Sequence, residues 1–89
     1  MSSYTLRFSE QAKDDISQHK KAGNKSVVNK ITLLLQELVQ HPFTGTGKPE
    51  PLKHSLTGCW SRRINREHRL VYQVSEDFVF ILSAKGHYD

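Results

Sequence analysis

The feature that most constrains the fold is a run of five apolar residues near the C-terminus, Phe78-Val79-Phe80-Ile81-Leu82. A strand that is apolar on both of its sides has to be covered on both, so this run predicts a strand in the interior of a sheet. Two further strands are predicted before it, over 60–65 and 70–74, and the apolar strand extends over 78–84. Short turns separate the three strands, and Ser75-Glu76-Asp77 forms the second turn. The C-terminal part of the chain is therefore expected to be an antiparallel meander.

The N-terminal part predicts one strand and two helices. Residues 4–8 alternate apolar and polar side chains, as in a half-buried strand, and Ser9 is a natural N-cap for the first helix. Gly23 indicates where that helix stops. A broad apolar stripe then runs from Val27 to Val39 at helical spacing, and Pro42 ends the second helix. The interpretation is one α+β domain over residues 1–89, with the N-terminal strand and both helices packed on one face of an antiparallel β-sheet.

Composition narrows the class of protein. A chain of 89 residues can hold one hydrophobic core, and it contains no apolar run of the ~18 residues needed to span a bilayer. Its first residues have neither the basic nor the apolar segment of a secretion signal, so we expect a cytoplasmic protein. Cys59 is the single cysteine, so an internal disulfide is impossible. The five histidines show no zinc-binding spacing, and we expect neither a metal nor another cofactor.

The charge pattern indicates a polyanionic partner. The chain has a net charge of +4, and only two acids, Glu50 and Glu67, lie between residues 48 and 69. The basic residues in that stretch are Lys48, Lys53, Arg62, Arg63, Arg66 and Arg69. Such a run favours nucleic acid as the ligand, although a merely solvated charged surface is an equally open interpretation.

Strand parity predicts which of these arginines lie together. Placing Ile64 and Leu70 on the core face requires an odd-length loop between the two strands, formed by residues 66–68. The same register places Arg63 beside Arg69 on the opposite face. Two adjacent guanidinium groups repel each other, so this arrangement predicts that an anion binds between them.

The residue types needed for RNA cleavage without a metal are all present. Such cleavage needs a base for the 2′-hydroxyl, a cation for the phosphorane and an acid for the leaving 5′-oxygen. Glu50 between two prolines is a candidate base, Arg69 a candidate cation and His87 after Gly86 a candidate acid. Tyr88 offers a ring for stacking and a hydroxyl for phosphate. Each of these residues also has an ordinary interpretation as a solvated or terminal side chain, and by themselves they indicate only a basic nucleic-acid-binding domain.

Four segments resemble the YoeB/Txe family of RelE-like toxins. They are GKPEPLKH at 47–54, LTGCWSRRI at 56–64, EHRLVY at 67–72 and GHY at 86–88. The resemblance implies a compact RelE-like (microbial-ribonuclease-like) fold and a metal-independent endoribonuclease that cuts messenger RNA on the ribosome and inhibits translation. It implies Glu50 as general base, Arg69 as transition-state stabiliser, His87 as general acid and Tyr88 as a substrate-positioning residue. The residues expected to bind RNA or phosphate are Lys48, Lys53, Arg62 and Arg63.

The resemblance also implies partners. They are a YefM-like antitoxin, a second copy of the toxin, the ribosome with its messenger RNA, and operator DNA reached through the antitoxin complex, with no membrane partner. Two alternatives remain open: a RelE-fold toxin that acts by binding without cleavage, and a non-catalytic RNA-binding module. Cys59 stands where relatives often have an aromatic residue, and Asp89 follows the terminal His-Tyr.

Overall fold

The apolar strand β5 (Phe78–Ser83) lies in the interior of a five-stranded sheet, between β1 (Thr5–Phe8) and β4 (Arg69–Val74). The interior position predicted from its sequence is therefore confirmed. Strand β3 (Cys59–Arg63) pairs with the other side of β4, and the two-residue strand β2 (Glu50–Pro51) forms the edge. These relationships come from a computed structural model, which describes residues 3–86. No helix in that part of the chain is long and apolar enough to cross a membrane.

The sheet is mixed, because β1 runs parallel to β5 with Leu6 opposite Val79. Strands β2 to β5 form the expected antiparallel meander. Parallel neighbours need a long crossover connection, and here two helices and most of the chain separate β1 from β5. No local sequence pattern specifies that pairing.

Helix α1 (Glu10–Lys21) begins where predicted. The hydroxyl of Ser9 accepts the N–H of Ala12 at 3.0 Å and donates to the carbonyl of Leu82 at 2.8 Å. The cap thus stabilises the helix start and also ties it to β5. Helix α2 (Lys25–Gln40) ends shortly before Pro42, as predicted.

Both helices pack on one face of the sheet, which confirms the predicted two-layer α+β architecture. The core residues from the helices are Ala12, Val27, Ile31, Leu34 and Leu38, and those from the sheet and its ends are Ile64, Leu70, Tyr72, Val79, Ile81 and Ala84. Because side chains alternate along a strand, the neighbours of these sheet residues lie on the other side, here called the outer face.

The segment 43–58 is more ordered than its loop-like composition predicts. It contains β2 and a short 3₁₀ helix, His54–Leu56. The N–H of Leu52 donates to the carbonyl of Cys59 at 2.9 Å, which extends the pairing beyond β2. Pro51 has no N–H to donate, which suits a short strand at the sheet edge.

Candidate active site on the outer face of the sheet

Glu50 and Arg69, the predicted base and cation, are in contact on the outer face. Glu50 lies opposite Ser61 on β3, and Ser61 lies opposite Val71 on β4, so these residues form one row across three strands. Arg69 reaches into this row: its Nη1 lies 3.1 Å from Oε1 of Glu50 and 3.4 Å from the hydroxyl of buried Ser61. The carboxylate is 55% exposed and the guanidinium side chain 19% exposed, so an incoming ligand can reach the pair.

Arg63 pairs directly with Arg69 across β3 and β4, as the parity argument predicts. Arg63 is exposed. The outer face therefore carries two adjacent arginines and one carboxylate, which gives it the charge distribution expected of a site for a phosphodiester.

The loop that carries Lys48 and Glu50 is fastened to the end of β3. The carbonyl of Gly47 accepts the N–H of Arg63 at 2.7 Å. Gly47 has a φ of +86°, and a Cβ at this position would lie 2.8 Å from the carbonyl oxygen of Arg63. Lys48 also has a positive φ, +52°, which is uncommon for a residue with a side chain. The close contact between this loop and β3 therefore requires glycine at position 47. The same contact determines the point at which Glu50 joins the sheet.

A basic cleft of about 460 Å³ lies beside this loop. Four cations line it, Lys30 from α2, Lys48 from the loop, Arg63 from β3 and Arg66 from the turn after β3. None of the four forms an ion pair with another residue in the range 3–86. Lys30 and Arg66 were not singled out as site residues from the sequence. Arg66 belongs to the basic run, whereas no sequence pattern links Lys30 to it.

The prediction that Arg62 binds phosphate is wrong, because its side chain is completely buried on the core face of β3. Its Nη1 lies 2.9 Å from Oε1 of Glu37, and its Nε donates to the hydroxyl of Tyr72 at 3.2 Å. The remaining partners of its guanidinium group are the carbonyls of His41, Thr44 and Thr46.

This buried network holds the loop between α2 and β2 in place. Glu37 accepts hydrogen bonds from the Thr46 hydroxyl at 2.6 Å and the Thr46 N–H at 2.8 Å. The Thr46 hydroxyl, followed by the Thr46 amide and Arg62, lowers the pKa of Glu37, and partial burial opposes this shift. Burial raises the pKa of Tyr72, whose hydroxyl donates to the carbonyl of Pro42 at 2.7 Å. Arg62 therefore organises the loop from inside the protein.

The C-terminal segment reaches the site at Gly86. The N–H of Arg69 donates to the carbonyl of Gly86 at 3.1 Å, and the N–H of Gly86 donates to Nδ1 of His68 at 2.9 Å. His87 and Tyr88, the predicted acid and positioning residue, lie outside the described residues.

The other residues considered from sequence take simpler positions. Lys53 is exposed just before the 3₁₀ helix and does not line the basic cleft. Trp60 packs against the core and against Phe43, with ring centroids 5.0 Å apart. Cys59 is a half-buried free thiol. Within residues 3–86, no group of three or more His, Cys, Asp or Glu side chains could hold a metal ion.

Comparison with known proteins identifies the family. Residues 8–88 match the model of the YoeB-like toxin of bacterial type II toxin–antitoxin systems. The chain is 47% identical to toxin YoeB of Escherichia coli K12, over 93% of this chain and 98% of that protein. The YoeB/ParE toxin from Agrobacterium tumefaciens superposes with a TM-score of 0.89 at 37% identity, over 94% of this chain and 99% of that one.

Two structures from Staphylococcus aureus show relatives in assemblies. One is a YoeB dimer, with a TM-score of 0.85 and 44% identity over 96% of this chain and 98% of that one. The other is a YoeB–YefM complex, with a TM-score of 0.84 and 45% identity over the same shares. The matched family model covers the segments that build the outer face, the loop and the C-terminal turn. With the identity to the E. coli relative, this shows that the chain belongs to the YoeB-like toxins of bacterial type II toxin–antitoxin systems.

Proposed function

We propose that this toxin is an endoribonuclease that cuts messenger RNA on the ribosome without a metal, with Glu50 as the general base and Arg69 as the transition-state stabiliser. The observation that carries the proposal is the 3.1 Å contact between the Glu50 carboxylate and the Arg69 guanidinium on the accessible outer face. A purely RNA-binding surface gains nothing from a carboxylate at its centre, because that charge repels phosphate. General base catalysis requires such a group.

The chemistry follows from these residue types. The 2′-oxygen of the RNA attacks the adjacent phosphorus while Glu50 takes its proton. Arg69 presents a rigid fork of donors that can contact a carboxylate and phosphate oxygens together, and it stabilises the charge on the phosphorane. The bond between phosphorus and the 5′-oxygen then breaks, His87 donates a proton to that oxygen, and a 2′,3′-cyclic phosphate and a 5′-hydroxyl result. Tyr88 positions the substrate.

The basic cleft supports an extended RNA ligand. Lys48 and Arg63 line it beside the outer face, so a strand bound at Glu50 and Arg69 can continue across four cations. Lys53 adds a further exposed charge near the same loop. We propose that these residues contact the phosphates of messenger or ribosomal RNA, which would make binding strongly dependent on salt.

We also propose the partners of this chain by analogy with its relatives. The YoeB–YefM complex supports a YefM-like antitoxin that covers the basic face, and the YoeB dimer supports a homodimer. Operator DNA would be bound by the antitoxin complex, mainly through the antitoxin, and the toxin would act in the cytoplasm.

The test is cleavage of ribosome-bound messenger RNA by the purified protein in the presence of EDTA, with mapping of new 5′-hydroxyl ends. Glu50→Gln, Arg69→Ala and His87→Gln should each abolish the new ends and relieve growth arrest. Glu76→Gln, which changes an exposed carboxylate in the turn after β4, is the matched control. If Glu50→Gln and His87→Gln arrest growth fully without new RNA ends, the toxin acts by binding and the proposal is wrong.

A further inference from the structure

We propose that His68 is a positioning residue of the RNA-cleaving site, fixing the backbone of the residue that precedes His87. The inference rests on the proposed nuclease function, in which His87 is the general acid. His68 lies immediately before β4, next to Arg69 in the chain. The sequence alone suggests only a surface or turn histidine at this position.

The backbone of Gly86 is held on both sides by two consecutive residues. Its N–H donates to Nδ1 of His68 at 2.9 Å, and its carbonyl accepts the N–H of Arg69 at 3.1 Å. The position of Gly86 is therefore fixed relative to the residue whose guanidinium contacts Glu50. A ring nitrogen accepts a hydrogen bond only when it carries no proton, so this contact requires His68 to be unprotonated at Nδ1.

A second layer from α1 holds the residue two positions earlier. Oδ2 of Asp15 accepts a hydrogen bond from the N–H of Ala84 at 2.9 Å. Nε2 of His19 lies 2.9 Å from the carbonyl oxygen of Ala84. Since a carbonyl can only accept, His19 donates from Nε2. The His19 and His68 rings meet edge to face with centroids 4.6 Å apart.

Asp15 and His19 are only 3% and 4% exposed. Burying such groups is unfavourable unless they form hydrogen bonds, and the backbone of Ala84 supplies them. Helix α1, His68 and the start of β4 thus clamp residues 84–86, and His68 binds Gly86, the residue next to His87 in the chain.

Fixing Gly86 matters because proton transfer is sensitive to geometry. A general acid must lie within hydrogen-bond reach of the leaving oxygen, and a displacement of about 1 Å can lower a rate by roughly 100-fold. Removing the Nδ1 acceptor should therefore slow the chemical step. RNA affinity, which depends on the basic residues, should change little.

The experiment compares His68→Asn with His68→Leu in the full-length toxin. The two side chains have similar shapes, but only asparagine has an acceptor, Oδ1, bonded to Cγ as Nδ1 is in histidine. One measurement is amide hydrogen exchange at Gly86, with Leu70 and Val79 as core references. The other is single-turnover RNA cleavage together with the Kd for RNA. His41→Ala, which alters an exposed histidine after α2, is the control.

In His68→Leu, we expect Gly86 exchange to accelerate roughly 10-fold while the references stay unchanged. Cleavage should fall roughly 10- to 100-fold at constant Kd. In His68→Asn, both values should stay near those of the wild type. If the leucine variant also disturbs the reference amides, His68→Ala takes its place in the same comparison.

Unchanged Gly86 exchange in the variants lacking an acceptor would overturn the proposal. Wild-type cleavage in a variant with accelerated Gly86 exchange would do the same. If the wild-type toxin cleaves no RNA at all, the proposed function fails, and so does the positioning role for His68. Gly86 exchange would then still decide whether His68 holds this backbone.

Discussion

Arg63 and Arg69 lie directly opposite each other on β3 and β4. Within residues 3–86, Arg69 forms an ion pair with Glu50, whereas Arg63 forms none. Like charges opposed across two strands destabilise the sheet. An anion bound next to Arg63 would remove that repulsion. The two arginines are therefore expected to play different parts, with Arg69 in the chemical step and Arg63 in binding.

Exchanging each arginine should separate these two parts. Arg63→Gln should raise KM for RNA and leave kcat within a few-fold of the wild type. Arg69→Lys should lower kcat by about 10²-fold or more, because an ammonium group cannot reproduce the planar fork. Steady-state cleavage of ribosome-bound RNA measures both constants. An equal loss of kcat in both variants would contradict the division.

The basic cleft should contribute to the salt dependence of RNA binding. A plot of log K against log salt concentration has a negative slope. For the double variant Lys30→Gln, Arg66→Gln, this slope should become less steep by about 0.7 for each phosphate that the variant no longer neutralises. Lys13→Gln is the control, because Lys13 already pairs with Glu10 on the exposed side of α1. Fluorescence titration of labelled single-stranded RNA at several salt concentrations gives the slopes. An unchanged slope in the double variant would exclude Lys30 and Arg66 from RNA binding.

Gly47→Ala should reduce both stability and activity. The residue has a φ of +86°, and a Cβ would lie 2.8 Å from the Arg63 carbonyl, so the loop carrying Glu50 has to shift. Gly23→Ala is a matched control, because Gly23 has a φ of +71° but no atom within 4 Å of the point where an added Cβ would lie. Both variants should lose about 1 kcal/mol from the backbone angle. Only Gly47→Ala should lose more than this from its free energy of unfolding, which urea unfolding measures. Only Gly47→Ala should also cleave RNA more slowly, which a cleavage assay measures.

Arg62→Ala should be among the most destabilising single substitutions in this chain. The substitution removes a completely buried guanidinium group. The Glu37 carboxylate and the loop carbonyls then lose the hydrogen bonds that this group donates to them. Leaving a buried acceptor without its donor costs about 1–3 kcal/mol for each group, so the loss should be large even though the Glu37 side chain is 24% exposed. Arg63→Ala, one residue along and on the exposed face, should change the free energy of unfolding by less than about 0.5 kcal/mol. Similar losses in the two variants would contradict the assignment of Arg62 to the interior.

The contribution of Glu37 should depend on pH. Its pKa in the folded protein lies below the ordinary value of 4.5, chiefly because the Thr46 hydroxyl donates to it. A lowered folded pKa means that the ionised carboxylate stabilises the fold above pH 4.5, and this stabilisation is lost as the pH falls through the folded pKa. Glu37→Gln should therefore unfold more easily than the wild type at neutral pH, and the difference should shrink in acid. Urea unfolding of both proteins from neutral pH to below pH 4.5 tests this pH dependence, with Glu76→Gln as the control.

Side-chain alternation was sufficient to predict the centre of this fold. The continuous apolar run of β5 predicted its interior position, and the parity of Ile64 and Leu70 predicted that Arg63 and Arg69 would be paired. The same parity places Arg62 on the core face with Ile64. The burial of Arg62 was therefore implied by the pattern, but its charge suggested a phosphate ligand instead.

Other features depend on contacts between distant residues. Asp15 and His19 are buried because they bind the backbone of Ala84, more than sixty residues away in the chain. Similarly, Lys30 meets the basic loop only because the fold brings α2 to the same cleft as Lys48 and Arg63. Hydrophobic periodicity describes local structure, so it could not reveal either relationship.

The central position of β5 has a consequence for biosynthesis. Because β5 pairs with β1 on one side and β4 on the other, β1 lacks its neighbouring strand, and β4 lacks one of its two, until residue 83 has been added. Pairing between β1 and β5, which most of the chain separates, is slow to form because a long loop must close first. The nascent chain thus carries Glu50 and Arg69 before the sheet that holds them together is complete. The toxin would in this way stay inactive until β5 has joined the sheet.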